Sequence, residues 1–258
     1  MKTALLGSFA ALSLALVLQA APSLIQKGGP QKGAPSKGAA VPAEPSGVTD
    51  AASVIAAQLP SYPGNFCLVH GGLFTAERPV QNLVLNGQLY RVCSDKCASK
   101  IQIEAAPHYL RLRKLCIAAQ KPLWPLQACP VSGDPYGGEM GRAVDFVVGT
   151  RYVKLCCKGC TRNIRRDPVQ FFAALDDMLL PALRKTYPSK VCPISSEELG
   201  GMGDPVEFMY GHRLVRLCCK MCKKGFDENP LEHMRTLYPR KKGTKPAAKK
   251  PEEKAPKK

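Results

Sequence analysis

VDFVVGTRYVKLCCKGC (residues 144–160) and VEFMYGHRLVRLCCKMC (residues 206–222) are two versions of one pattern. Each has apolar residues at every second position, a two-residue break, a second alternating run and then a C-C-K-x-C string. Alternation of period two on both sides of a short break predicts a β-hairpin. One row is Val144, Phe146 and Val148, followed after Gly149-Thr150 by Val153 and Leu155. In the later copy Val206, Phe208 and Tyr210 lead through Gly211-His212 to Val215 and Leu217. Upstream, LVLNGQLYRVCSDKC (residues 83–97) repeats the pattern with Asn86-Gly87 at the break, the pair best suited to a type I′ turn, and with Ser94 in place of the second cysteine.

The cysteines make the repeat exact to within a residue. Cys67, Cys93 and Cys97 recur as Cys129, Cys156 and Cys160 and again as Cys192, Cys218 and Cys222, each step being 62 or 63 residues. After the cysteine pair come Pro107, Pro168 or Pro230, placed for the first turn of a helix, where a missing N–H is harmless. Phe172, Leu175 and Leu179 form an apolar stripe on the middle helix, which Pro181 should kink or end. Met234 and Leu237 match Phe172 and Leu175. Counted from Pro107, the first copy puts Arg111 and Lys114 there, and Tyr109, Leu112 and Leu115 offer a shifted stripe instead. The reading is therefore an α+β protein of three tandem modules, each a loop cysteine, a β-hairpin, a C-x3-C turn and a helix. Their extents are 56–118 (a degenerate first copy), 119–187 and 188–240. Modules this small bury too little apolar surface for a secure core, and metals or disulfides usually supplement it.

The rest of the 258 residues looks unlike a fold. Residues 1–21 read as a secretory signal peptide, with Lys2 before an apolar run that is short for the ~20 residues of a membrane span. Residues 22–55, rich in Pro, Gly, Ala and Lys, read as a disordered linker, and residues 241–258, with eight lysines against Glu252 and Glu253, as a disordered tail. The expected location is secreted or periplasmic. The net charge of +17 favours an anionic polymer or membrane surface as a partner, reached through the tail, unless the tail serves only solubility. Export argues against nucleic acid, and no transmembrane helix is expected after processing.

The string C-P-V/I-S, hairpin, V/L-C-C-K-x-C, spaced proline and apolar helix resembles the YHS/TRASH-like domains, a family of heavy-metal sensing or trafficking modules. The resemblance covers Cys129 to about Leu183 and Cys192 to about Tyr238, and in outline Cys67 to about Leu115. It implies a treble-clef-like knuckle and helix that bind a soft metal. By the same resemblance Cys129, Cys156 and Cys160 match the family's spaced cysteine and C-x3-C pair, as do Cys192, Cys218 and Cys222.

The chemistry of these residues stands beside the resemblance. Three thiolates from one loop and one turn can converge on Zn²⁺ or Cu⁺, since soft ligands select soft ions. The weaker set is Cys67, Cys93 and Cys97. Cys157, Cys219 and Cys116 are candidates for a fourth ligand. An oxidising compartment favours disulfides for an even number of cysteines, so a disulfide-stapled structural or interaction protein remains the alternative. His70, His108, His212 and His233 occupy non-equivalent places among themselves and read as surface residues, with His70 near Cys67 and His212 at a turn tip the nearest to exceptions. Asp145 and Glu207 read as solvent-facing strand residues. Gly137-Gly138 and Gly200-Gly201-Met202-Gly203 lack the Lys-Ser/Thr of a phosphate loop, and no nucleophile has a base partner, so no enzyme is expected.

Overall fold

The computed structural model describes residues 50–138 and 141–239. The expected signal peptide, most of the linker and the tail lie outside them. Helix α1 (Ala51–Gln58) is capped by Asp50, whose carboxylate accepts from Ser53 N–H at 2.9 Å. It occupies residues 51–55, which the sequence reading gave to the linker. Three antiparallel hairpins follow, each of two five-residue strands joined by two residues: β1 (Gln81–Leu85) with β2 (Gln88–Val92), β3 (Val144–Val148) with β4 (Arg151–Leu155), and β5 (Val206–Tyr210) with β6 (Arg213–Leu217). Asn86 and Gly87 both have positive φ, 52° and 73°, as a type I′ turn requires.

Each hairpin is followed by two helices. They are α2 (Asp95–Ile103) and α3 (Ala105–Gln120), α4 (Thr161–Arg166) and α5 (Pro168–Lys185), and α6 (Met221–Glu228) and α7 (Pro230–Leu237). Glu104, Asp167 and Asn229 break each pair at nearly the same backbone angles, φ −140° to −148° and ψ 63° to 85°. Proline after Asp167 and Asn229 forces that break, since a residue before proline is driven out of the helical region. The structural equivalent of Pro168 is Ala105, two residues before Pro107. Counted this way, Tyr109, Leu112 and Cys116 correspond to Phe172, Leu175 and Leu179. Tyr109, Leu112 and Cys116 are indeed buried, which resolves the apparent mismatch of the first copy. Pro181 does not end its helix, which continues to Lys185.

The hairpins face two ways. Phe146, Val153 and Leu155 line the core of their own module, while Val147 and Tyr152, on the opposite face, join the core of the module before. Met209 in β5 likewise packs on the middle core. Each hairpin thus lies on the helix that ends the preceding repeat, and α1 supplies that helix for the first. The junctions repeat in detail. Gln58 donates to Gly87 O at 2.6 Å and accepts from Leu89 N–H at 2.8 Å. Gln120, 62 residues on, donates to Thr150 O at 2.7 Å and accepts from Tyr152 N–H at 2.9 Å. The third junction uses charge instead, Glu207 accepting from Arg184 of α5 at 2.6 Å and from Arg216 at 2.8 Å. Asp145 accepts from Lys121 and from the Tyr152 hydroxyl. Both acids are tied into junctions rather than left to solvent.

The three turns meet at residues 58–61. Thr150 Oγ1 donates to Gln58 O, Gln120 also donates to Ser61 O at 3.0 Å, and a Cβ on Gly211 would fall 2.5 Å from Pro60 O. Connector residue Trp124 is fixed as well, donating to the Tyr136 hydroxyl at 3.1 Å and meeting the Tyr152 ring edge-on. Among the described residues no helix is long and apolar enough to cross a membrane.

Gln120, Ser61 and Thr150 are all buried, so Gln120→Leu strands two carbonyls and an N–H without partners. The expected loss is roughly 2–4 kcal/mol in urea unfolding. A second test concerns the third turn, where His212 has its Nδ1 enclosed without a partner. Burial, then Arg213 and Arg151, push its pKa down from 6.5 to about 3. Between those values the unfolded chain binds the extra proton, so stability falls as pH drops through that window, by at most about 5 kcal/mol. In the reduced, metal-free protein His212→Asn should flatten this slope of unfolding free energy against pH.

Candidate metal centre

The loop cysteine of each module sits in a tight backbone knuckle. Cys67, Cys129 and Cys192 donate their N–H to the carbonyls of Gly72, Asp134 and Glu197, each at 2.8 Å. Their own carbonyls accept from Gly71, Gly133 and Ser196. The returning residue lies in the left-handed region, φ 79° at Gly71 and Gly133 and 64° at Ser196. The third module therefore holds a serine where the other two hold glycine.

The C-x3-C pair is delivered by the hairpin and the short helix after it. Cys93, Cys156 and Cys218 follow β2, β4 and β6 directly. Cys97 and Cys222 lie in the first turns of α2 and α6, and Cys160 is the N-cap of α4. The sequence reading gave each module a C-x3-C turn and one helix; the structure has a separate short helix of six to nine residues at each pair before the longer or final one. Five strand residues, roughly 17 Å of chain, separate each cysteine cluster from its turn at the hub.

In every module the ligand atoms converge. Those of Cys129, Cys156 and Cys160, and those of Cys192, Cys218 and Cys222, lie within 4.8 Å of one another, and so do those of Cys67, Cys93, Cys97 and His70. Individual Sγ separations are 3.8 Å for Cys129 to Cys160, 3.6 Å for Cys156 to Cys160 and for Cys218 to Cys222, and 4.0 Å for Cys93 to Cys97. Thiolates about 2.3 Å from one tetrahedral ion stand about 3.8 Å apart, so these spacings suit a shared metal. All twelve cysteines are unbridged.

The fourth-ligand candidates divide. Cys116 is completely buried in the first module's core, at the position of Leu179, and burial pushes its thiol up to about 12. It fills space and does not join the cluster. Cys157 and Cys219 stand at the edge of theirs, 3.8 Å from Cys160 and 3.7 Å from Cys222, and are half-buried. His70 is exposed, as the sequence reading had it, and yet has Nε2 2.9 Å from Cys93 Sγ. The missed signal was its spacing. His70 is the third residue after Cys67, as Ser132 is after Cys129 and Ser195 after Cys192.

Local dipoles prepare one sulfur in each three-cysteine group for charge. Burial raises the Cys129 thiol, but the N–H groups of Cys156, Ser132 and Val131 outweigh it and bring the pKa to about 7. The same contest takes Cys192 to about 6, through Ser195, Cys218 and Ile194. Cys160 and Cys222 go the other way, to about 12, through burial and then the neighbouring sulfurs. Each group so pairs one sulfur disposed to ionise near neutral pH with one that its burial and its neighbours keep protonated.

No family model, curated protein or solved structure matches the chain.

Left-handed backbone costs a non-glycine residue about 1 kcal/mol or more, and glycine largely escapes that cost. Ser196→Gly should accordingly raise the unfolding free energy by about 1 kcal/mol, measured on the reduced protein.

Proposed function

We propose that this is an exported, non-enzymatic protein that binds soft metal ions, Zn²⁺ or Cu⁺, for storage, trafficking or sensing. The observation that carries this reading is the convergence of unbridged sulfurs from a knuckle and a helix start in all three modules. Cysteine thiolates are the donor set such ions prefer. The resemblance of the C-P-V/I-S and C-C-K-x-C strings to YHS/TRASH-like modules supports the same reading, with each site a treble-clef-like knuckle and helix. Bound metal supplies a positive charge that holds the thiolates together, which converts binding free energy into folding free energy. The lysine-rich residues 241–258 serve to hold the protein near an anionic envelope polymer or membrane surface.

Protein isolated from its own compartment should carry about three metal ions per chain, with its cluster cysteines reactive to thiol reagents only after chelation. A chelator, or acid in competition for the thiolates, should loosen the modules, while a reductant should leave them intact. Metal-free protein with its cysteines oxidised and stability lost on reduction would replace this reading with that of a disulfide-stapled structural protein.

A further inference from the structure

The three sites differ at two positions, and the differences run in opposite directions. Inside the cluster, the third residue after the knuckle cysteine faces the first cysteine of the C-x3-C pair. It is His70 at 2.9 Å from Cys93 in the first module, Ser132 at 3.4 Å from Cys156 in the second and Ser195 at 3.2 Å from Cys218 in the third. At the lip of the cluster the order is reversed. Cys157 and Cys219 stand in the later modules, whereas the first has Ser94, which accepts from Cys97 N–H and caps α2.

These swaps change what each site offers. The first supplies three sulfurs and an imidazole, a complete four-ligand set for zinc. The other two supply three sulfurs and a hydroxyl, a poor ligand at neutral pH, with a fourth sulfur beside the cluster rather than in it. A set filled by the protein holds its ion, whereas a set with one replaceable position lets an incoming ligand attack.

We propose that the three sites are of two kinds. The Cys67, His70, Cys93 and Cys97 site is a closed zinc site that fixes the fold, and the sites of the second and third modules are open sites that load and release a thiophilic ion through Cys157 and Cys219. His70 must give its Nε2 lone pair to the ion. Its Nδ1 now accepts from Gly72 N–H at 3.1 Å, so the ring proton moves to Nδ1 and Gly72 N–H turns to water. This division rests on the metal-binding reading above.

The test uses the full chain loaded with Zn²⁺ under reducing conditions and challenged with an excess of a chromogenic chelator. Two ions should leave in a fast phase and one at least tenfold more slowly. His70→Ser should speed the slow ion to the rate that the other two sites show once Cys157 and Cys219 are replaced by serine, since the first module already has Ser94 at the lip, and Ser132→His should move one fast ion into the slow phase. The second variant keeps the test decisive if the first does not fold. Cys157→Ser with Cys219→Ser should slow the fast phase and leave the count at three. Three ions released in one phase, or a slow-phase rate unchanged in folded His70→Ser protein, would overturn the division while leaving metal binding in place. A reduced chain that takes up no Zn²⁺ would overturn both.

Discussion

Two carboxamides hold the described structure together. Gln58 and Gln120 each lie under a hairpin turn and satisfy the carbonyl of its second residue and one N–H of the returning strand. A tight turn pressed into a protein interior leaves backbone groups that water can no longer reach, and each left unpaired costs about 1–3 kcal/mol. A side chain with one donor end and one acceptor end answers that need at both places. Once the turns are anchored, the direction of each hairpin is set, and the cysteines at its far end point away from the hub into separate clusters.

Much of this was legible in the residues, because period-two alternation and the recurring cysteines report on local geometry. The three hairpins, their turns and the sulfur clusters all follow from those signals. The alignment of the first copy went astray because proline was taken as the fixed point. What repeats is the break at Glu104, Asp167 and Asn229, and proline enforces that break in only two of three copies. Cys116 then looked like a spare ligand, although it holds the place of Leu179 in a core. The role of α1 was hidden for a different reason. Its likeness to the end of α3 rests on one glutamine and a contact made about thirty residues later, and no local pattern reports such a contact.

His70 shows how a substitution between repeats is read most usefully. Compared only with the other histidines it has no counterpart. Compared with Ser132 and Ser195 it occupies a shared position, at which the first module sets an imidazole and the other two a hydroxyl against the equivalent sulfur. Ser94 follows the same logic, since losing a cysteine there gains a helix cap. A copy that looked eroded by its missing cysteine gathers four side chains able to hold a metal ion, against three in each of the others.

The placing of each hairpin on the helix before it also bears on the order in which the chain can fold. Gln58 reaches residues 87–89, Gln120 reaches 150–152, and Arg184 reaches Glu207, so each docking joins segments only some twenty to thirty residues apart. Low contact order of this kind favours rapid folding, and it runs in the direction in which a ribosome delivers the chain. Each finished helix is a platform waiting for the next hairpin. The hub contacts of Thr150 with Gln58, Gln120 with Ser61 and Gly211 against Pro60 span longer stretches of sequence. They latch an assembly whose parts are already in place, and the last latch closes only when the third hairpin has arrived.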